Sequence, residues 1–454
     1  MRTPQIKGVL RILEAETRLF LVPKGNSRPH IERRKNMAEI GHGGKQIVER
    51  IMAPAEAAQK IKGLKEIPIR SQLANEVIDI TYGWFTPLQG FMGKADVDSV
   101  CKKMRLADGV VWSIPIVFDL SDKEIADYGV KPGQSVLLTF SGNPMAILEV
   151  EEIYDYDKNA MCKAVYGTDD PKHPGCARTF QYKDKFVGGK VTLVNRPKIN
   201  PPYDPYFIPP LEMRKRFKEK GWERIVAHQT RNVPHTGHEW LMKGAWFQAY
   251  AELPIEKPLV GVLVNAIIGD KRKGDYIDEA IILTQDELRK SGYFGDHNHM
   301  TSLTFWDMRY AGPKEAVFHA ALRANLGLTH HMYGRDHAGV GTYYGAYDAH
   351  HLLESVKNDL SIVPVYSMNW LFCPHCGEIT SEGLCDHKKE WQKFSGTVIR
   401  SIVQDGVKPP RLIYRPEVFD VMMECGEKYG FGSPFVGDEY LEKRIPVFEI
   451  PPMK

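Results

Sequence analysis

Apolar positions are spaced in two different ways along this chain, and the spacing changes near residue 200. Between residues 64 and 196 they form short runs, such as residues 110–118 and 135–140. Turn-forming stretches punctuate those runs, among them Lys131-Pro132-Gly133 and Ser141-Gly142-Asn143-Pro144. Short β-prone runs with frequent turns predict a small β-barrel or mixed β domain. Proline and tyrosine then crowd the stretch from Asn195-Arg196-Pro197 to Pro209-Pro210, which marks a domain boundary. Beyond it apolar strands alternate with helical segments. The pattern predicts strands at 224–228, 259–265, 329–333 and 361–365, and helices at 239–253, 313–325 (capped by Gly327) and 347–358. Apolar strands between helices imply an α/β unit with a parallel sheet covered on both faces. From Phe394 the pattern is that of a small helical unit, opening at Ser395-Gly396-Thr397.

Composition narrows the class. At 454 residues the chain exceeds one ordinary domain, and about 150 residues per domain suggests about three. The expected division is 37–200, 201–390 and 391–454, after a basic leader at 1–36. No run of ~18 uninterrupted apolar residues exists, so no membrane helix is expected. Seven cysteines are too few for a disulfide scaffold, which fits a cytoplasmic protein.

The net charge of +3 is misleading as a whole-chain figure. Residues 1–36 hold nine basic and three acidic residues, leaving residues 37–454 at a net −3. A mildly acidic body gives no case for nucleic acid. Three readings fit the leader: a targeting peptide, a flexible extension, or sequence upstream of a true start at Met37. It has neither the continuous apolar segment nor the cleavage site of a secretory signal.

Chemistry concentrates in three places. The first is Gln229-Thr230-Arg231-Asn232-Val233-Pro234-His235-Thr236-Gly237-His238-Glu239, which follows a predicted strand and opens a predicted helix. Strand ends and helix N-termini in open α/β sheets suit anionic ligands. His235 and His238, three apart, share one side of the first helical turn. The second is Gly334-Arg335-Asp336-His337-Ala338-Gly339-Val340-Gly341, again after a strand. Its glycines permit close backbone approach, and Arg335 offers a planar fork for an oxyanion. The third is Cys373-x-x-Cys376 followed by Cys385 and His387, a spacing suited to a structural tetrahedral Zn²⁺ site.

Together the first two motifs resemble those of ATP sulfurylase (sulfate adenylyltransferase). Further matches run through the chain: Gly83-Trp84-Phe85-Thr86-Pro87-Leu88-Gln89-Gly90-Phe91-Met92, Arg105-Leu106-Ala107-Asp108-Gly109, Met308-Arg309-Tyr310-Ala311-Gly312-Pro313 and Phe394-Ser395-Gly396-Thr397. The similarity spans about residues 40–430. Family members often begin near a stretch like His42-Gly43-Gly44-Lys45, which favours Met37 as the start. One departure is that proline follows Val233 rather than Asn232, which leaves the chemical groups in register. With the cysteines, it looks most like enzymes of dissimilatory sulfur-metabolising prokaryotes.

The resemblance implies a PUA-like N-terminal barrel and a Rossmann-like nucleotidyltransferase domain with a small C-terminal helical domain. It implies that ATP and sulfate give adenosine 5′-phosphosulfate and pyrophosphate by direct in-line attack, a reaction that also runs in reverse to make ATP. Carried over by motif, Gln229, Arg231 and the Ala338 N–H would hold sulfate. Thr230 and Asn232 would contact the α- and β-phosphates, and His235 and His238 the leaving pyrophosphate. Gln229 would also border ATP, while Gly334, Arg335, Asp336 and His337 would line the nucleotide and Met368 its adenine. Mg²⁺ would arrive with ATP, and 267–275 would be a mobile loop over the phosphates. In zinc-bearing relatives the histidine lies farther from the third cysteine. Lys389 occupies that spacing here, so His387 is the expected fourth ligand, with His375 as a fallback. A homo-oligomer, with a dimer favoured, is implied as well.

Two rivals remain open at this stage. One is another H-x-G-H adenylyltransferase acting on a nucleotide or phosphopantetheine. The other is an RNA-binding protein built on the β domain and a zinc knuckle. Gln229 and Arg231 ahead of the histidines favour sulfate, and the acidic body disfavours RNA. Every Gly-Lys pair lacks the residues of a G-x-x-x-x-G-K-[ST] loop, so no kinase P-loop is expected.

Overall fold

A computed structural model describes residues 39–253, 259–295, 297–393 and 396–453. The leader at 1–36, Met37, Phe394 and Ser395 lie outside them. Residues 39–454 form one compact unit.

The first part is a mixed sheet built on β1 (Lys65–Pro68), β2 (Gly90–Phe91), β3 (Phe118–Leu120), β4 (Ser135–Phe140), β5 (Asn143–Tyr154) and β6 (Lys185–Leu193). Its order is β1-β4-β5-β6-β2, with β3 also on β6. β1 and β4 run parallel and the other pairs antiparallel. The turn joining β4 to β5 places Ser141 and Gly142 at φ +50° and +78°. Two left-handed residues match the twist of a tight hairpin.

The link β7 (Lys198–Ile199) leads into the second sheet. This comprises β8 (Arg224–Thr230), β9 (Val260–Ile268), β10 (His299–Phe305), β11 (His330–Tyr333) and β12 (Val363–Tyr366). All neighbours are parallel, in the order β10-β9-β8-β11-β12. Every residue of β9 and β10 is buried, as expected of parallel strands covered on both faces. Gly261 is required in β9, because a Cβ there would lie 2.1 Å from the Trp222 ring. The covering helices include Thr236–Ala251, Asp278–Lys290, Pro313–Leu326 and Asp348–Val356. Pro313 starts its helix, and Gly327, at φ +92°, ends it.

Two features tie the parts together. The helix Ser71–Thr81 is buried from Gln72 to Thr81 and packs on both β6 and β10, with Glu76 paired to Arg309. Asn325 uses its whole side chain: Nδ2 donates to the Trp84 and Thr86 carbonyls, and Oδ1 accepts from His42 N. After a short antiparallel sheet of β13 (Trp370–Cys373), β14 (Glu378–Ser381) and β15 (Gln392–Lys393), the chain turns helical. The helix Pro416–Tyr429 packs on Asp278–Lys290, and β16 (Phe448–Glu449) pairs antiparallel with β7.

Candidate active site

The strand order fixes where a ligand fits. From β8 the chain proceeds through β9 to β10 on one side, then crosses to β11 and β12 on the other. The C-terminal ends of β8 and β11 therefore flank a topological switch point, where open α/β sheets leave a crevice. Gln229 and Thr230 end β8, Arg231 and Asn232 follow it, and residues 334–339 follow β11; all line one cleft of about 580 Å³. Tyr310, Asp336 and Ala338 all line it with left-handed φ between +54° and +57°. Strained non-glycine backbone of this kind concentrates at functional sites.

Arg231 is held in a fork. It donates to Tyr310 Oη at 3.0 Å, to the Asp270 carbonyl at 2.8 Å and to Asp275 Oδ2 at 3.3 Å. Asp275 also accepts from Arg272 N. The loop after β8 is braced by hydrogen bonds. Asn232 N donates to Thr230 Oγ1, and the Asn232 carbonyl accepts from Gln285 Nε2. The loop after β11 closes through Asp336 N donating to the Ala346 carbonyl and Gly312 N to the Ala338 carbonyl. A Cβ on Gly339 would meet Asp336 Oδ1 at 2.0 Å.

Histidines gather beneath the cleft. His235 caps the helix Thr236–Ala251 by accepting from Gly237 N, and its ring stacks on His238 at 3.9 Å. Burial holds His238 down to about 4 and His337 down to about 3, helped at His337 by Arg323 and His350. His228, His235, His319 and His331 are likewise lowered, first by burial and then by neighbouring histidines, with Arg323 adding to the effect at His319 and His331. At neutral pH these rings are uncharged and offer hydrogen bonds rather than positive charge.

The cleft brings together Gln229, Thr230, Arg231, Asn232, His238, Gly334, Arg335, Asp336, His337 and Ala338. His235 lies behind His238 and is not in the lining, and Met368 sits exposed after β12, also outside it. The lining adds Leu241, Asp275, Tyr276, Met308, Tyr310 and Arg400. Met308, Tyr310 and Asp275 stand in stretches the sequence already singled out; Arg400 follows the Phe394 motif and carried no signal of its own. The loop expected to cover phosphates spends its cations elsewhere. Lys271 is buried against Asp278 at 2.7 Å, Arg272 lies over the Tyr310 ring, and Lys273 pairs with Asp438.

Cys373, Cys376, Cys385 and His387 converge, their ligand atoms all within 4.8 Å of one another. Cys376 Sγ lies 3.7 Å from Cys385 Sγ and 3.3 Å from His387 Nδ1, and Cys385 Sγ lies 3.4 Å from that nitrogen. Tetrahedral Zn²⁺ at ordinary bond lengths gives edges of about 3.8 Å (S···S) and about 3.6 Å (S···N), so the donor set and spacing fit. Cys376 N donates to Cys373 Sγ, and Gly377, at φ +72°, closes the turn by donating its N–H to the Cys373 carbonyl. His375 stacks on His387 and is not one of the four.

Comparison with known proteins settles the family. A profile described as ATP-sulfurylase matches residues 204–425, and one described as PUA-like domain matches residues 40–196. The sulfate adenylyltransferase of Archaeoglobus fulgidus is 38% identical over 90% of this chain and 98% of its own length. That of Hyperthermus butylicus is 38% identical over 90% of this chain and its full length. The chain belongs to the ATP-sulfurylase family. Its fold is also shared by a hexameric APS kinase from Thiobacillus denitrificans. That match has a TM-score of 0.65 at 19% identity, covering 85% of this chain and 68% of the other. Within the ATP-sulfurylase family, then, the β-rich part is the PUA-like domain and the parallel sheet belongs to the ATP-sulfurylase region. Among the described residues no helix is long and apolar enough to cross a membrane.

Proposed function

We infer that this chain joins sulfate to the α-phosphate of ATP, releasing pyrophosphate and adenosine 5′-phosphosulfate. What carries the reading is Arg231. Its guanidinium is held in the cleft lining at the switch point by Tyr310, Asp270 and Asp275, beside the second anion-suited loop. Sulfate is ionised at neutral pH and attacks in line, so no general base is required. The protein's contribution is positioning and neutralisation of growing charge. Gln229, Arg231 and the Ala338 N–H hold sulfate. Thr230 and Asn232 fix the α- and β-phosphates. His238, with His235 stacked behind it, donates to the departing pyrophosphate as a neutral ring. Gly334, Arg335, Asp336 and His337 border the nucleotide, and the backbone at Met368 its adenine. Mg²⁺ enters as part of the MgATP substrate. The same residues serve the reverse reaction.

Zn²⁺ at Cys373, Cys376, Cys385 and His387 belongs to this reading as a structural ion; four protein ligands leave no position for substrate. So do a cytoplasmic location and a homodimer, checked by sedimentation of the purified chain. The activity is tested by pyrophosphate release from MgATP with sulfate, with molybdate, or with neither. Either anion should drive release, and release indifferent to both would refute the function. Arg231→Ala should lower sulfate-dependent turnover at least a hundredfold, the scale of losing a preorganised charge partner, with an unchanged Tm.

A further inference from the structure

The groups that hold Arg231 are themselves held, and one short helix of the PUA-like domain reaches two of them. The Asp270 carbonyl accepts from Arg231 Nη2. Asp270 N in turn donates to Asp307 Oδ1 at 2.7 Å, and Asp270 Oδ2 accepts from Arg178 Nη2 at 3.1 Å. The other arm of Arg178, Nη1, donates to the Asp307 carbonyl at 3.1 Å. One guanidinium thus clamps Asp270 to Asp307. Arg178 lies in the helix Pro174–Phe180, inside the residues matched as PUA-like. His173, which caps that helix, reaches a second support of Arg231. Its Nδ1 accepts from Gly175 N, which leaves the ring hydrogen on Nε2. That nitrogen is 3.1 Å from the Tyr310 carbonyl and 3.1 Å from Tyr344 Oη, and Tyr310 Oη accepts from Arg231.

Arg178 does not line the cleft that contains Arg231. With Asp270 it lines a second one, of about 380 Å³. Any effect on sulfate therefore runs through Asp270. The direction of a backbone carbonyl depends on what fixes the residues at either side of it. On one side, the N–H and the carboxylate of Asp270 are both tied, to Asp307 and Arg178. On the other, Lys271 is buried against Asp278. The Asp270 side chain is 60% exposed, so without Arg178 its carboxylate turns to water and that tie is lost.

We propose that Arg178, supplied by the PUA-like domain, is a positioning residue for sulfate: by clamping Asp270 to Asp307 it keeps the Asp270 carbonyl on Arg231. The proposal rests on the reading of Arg231 as a sulfate ligand. Arg178→Ala should raise KM for sulfate roughly fivefold, the scale of one charge-assisted hydrogen bond at a partly exposed site. KM for MgATP should stay within twofold. Asp270→Ala keeps the carbonyl and removes the carboxylate, so it should have the same effect, and the two changes together should cost little more than either. Ethylguanidinium has room where the Arg178 side chain stood. It should recover most of the loss in Arg178→Ala and none in Asp270→Ala, measured against sodium chloride at equal ionic strength. Parallel rises in both KM values, additive losses in the double variant, or rescue no better than with sodium chloride would overturn the proposal. If Arg231→Ala leaves sulfate-dependent turnover unchanged, the ligand reading fails. If Arg231→Ala abolishes it and Arg178→Ala leaves the sulfate KM unmoved, only this proposal fails. Should Arg178→Ala not fold, Asp270→Ala decides: a raised sulfate KM with an unmoved MgATP KM supports the proposal, and an unmoved sulfate KM refutes it.

Discussion

At the scale of single residues, burial sets the charge of the site. His238 and His337 line the cleft with pKa values held at about 4 and about 3. A free imidazole titrates near ~6.5, so each ring stays neutral far below the pH at which it would otherwise charge. The sign follows directly: lowering pH from 8 to 5.5 does not protonate them. The profile of kcat/KM for sulfate, which reports the free enzyme, should therefore be flat between pH 8 and 5.5. An inflection near 6.5 that vanishes in His238→Asn would contradict the assignment of a neutral donor. This neutrality was not legible in the sequence, where HTGH shows two histidines but not the burial of both rings or His228 beside them. His319 gave no signal at all. It sits inside an apolar helix, and only the fold brings it to Gln229.

At the scale of elements, what was legible divides by what the strands bury. The strand β9 announces itself, because a parallel strand covered on both faces is continuously hydrophobic; β8, β11 and the edge strand β12, whose Val363 and Tyr366 are exposed, were read from shorter apolar runs. β10 does not. His299, Thr301, Ser302 and Thr304 are all buried, and Asn265 of β9 satisfies two of them through Ser302 Oγ and Thr304 Oγ1. The helix Asp278–Lys290 is hidden similarly, with Thr284, Gln285 and Asp286 on its buried face and Ile277 in place of a capping side chain. The Cys373–His387 hairpin is the opposite case. Its ligand spacing was readable, and its strands are too short to hold themselves together without a crosslink. Purified protein should contain about one zinc per chain. Cys376→Ser, or chelation, should lower Tm by several degrees while leaving the sulfate KM within twofold. A metal-free protein of equal stability would refute the site.

At the scale of the whole molecule, the cation loop works as a structural tie between distant parts of the chain. Asp278 Oδ1 meets Lys271 at 2.7 Å and Oδ2 meets Arg444 at 3.2 Å, while Asp278 N donates to Tyr440 Oη. Tyr440 in turn donates to Glu279. One buried carboxylate thus links the loop after β9, the helix Asp278–Lys290 and the C-terminal segment. The loop also carries the Asp270 carbonyl and Asp275, both of which orient Arg231. Lys271 is wholly buried, and its pKa is lowered chiefly by that burial. Removing its partner leaves an uncompensated charge in a dry site, which costs about 3–5 kcal/mol, whereas removing both charges costs far less. Asp278→Leu should therefore lose about that much stability in urea unfolding and most of the sulfate-dependent turnover. Combining it with Lys271→Met should recover most of the stability, since Arg444 is partly exposed and can be solvated. If the double variant is no more stable than Asp278→Leu alone, Lys271 is not held by this pair and its cation is free to serve the phosphates instead.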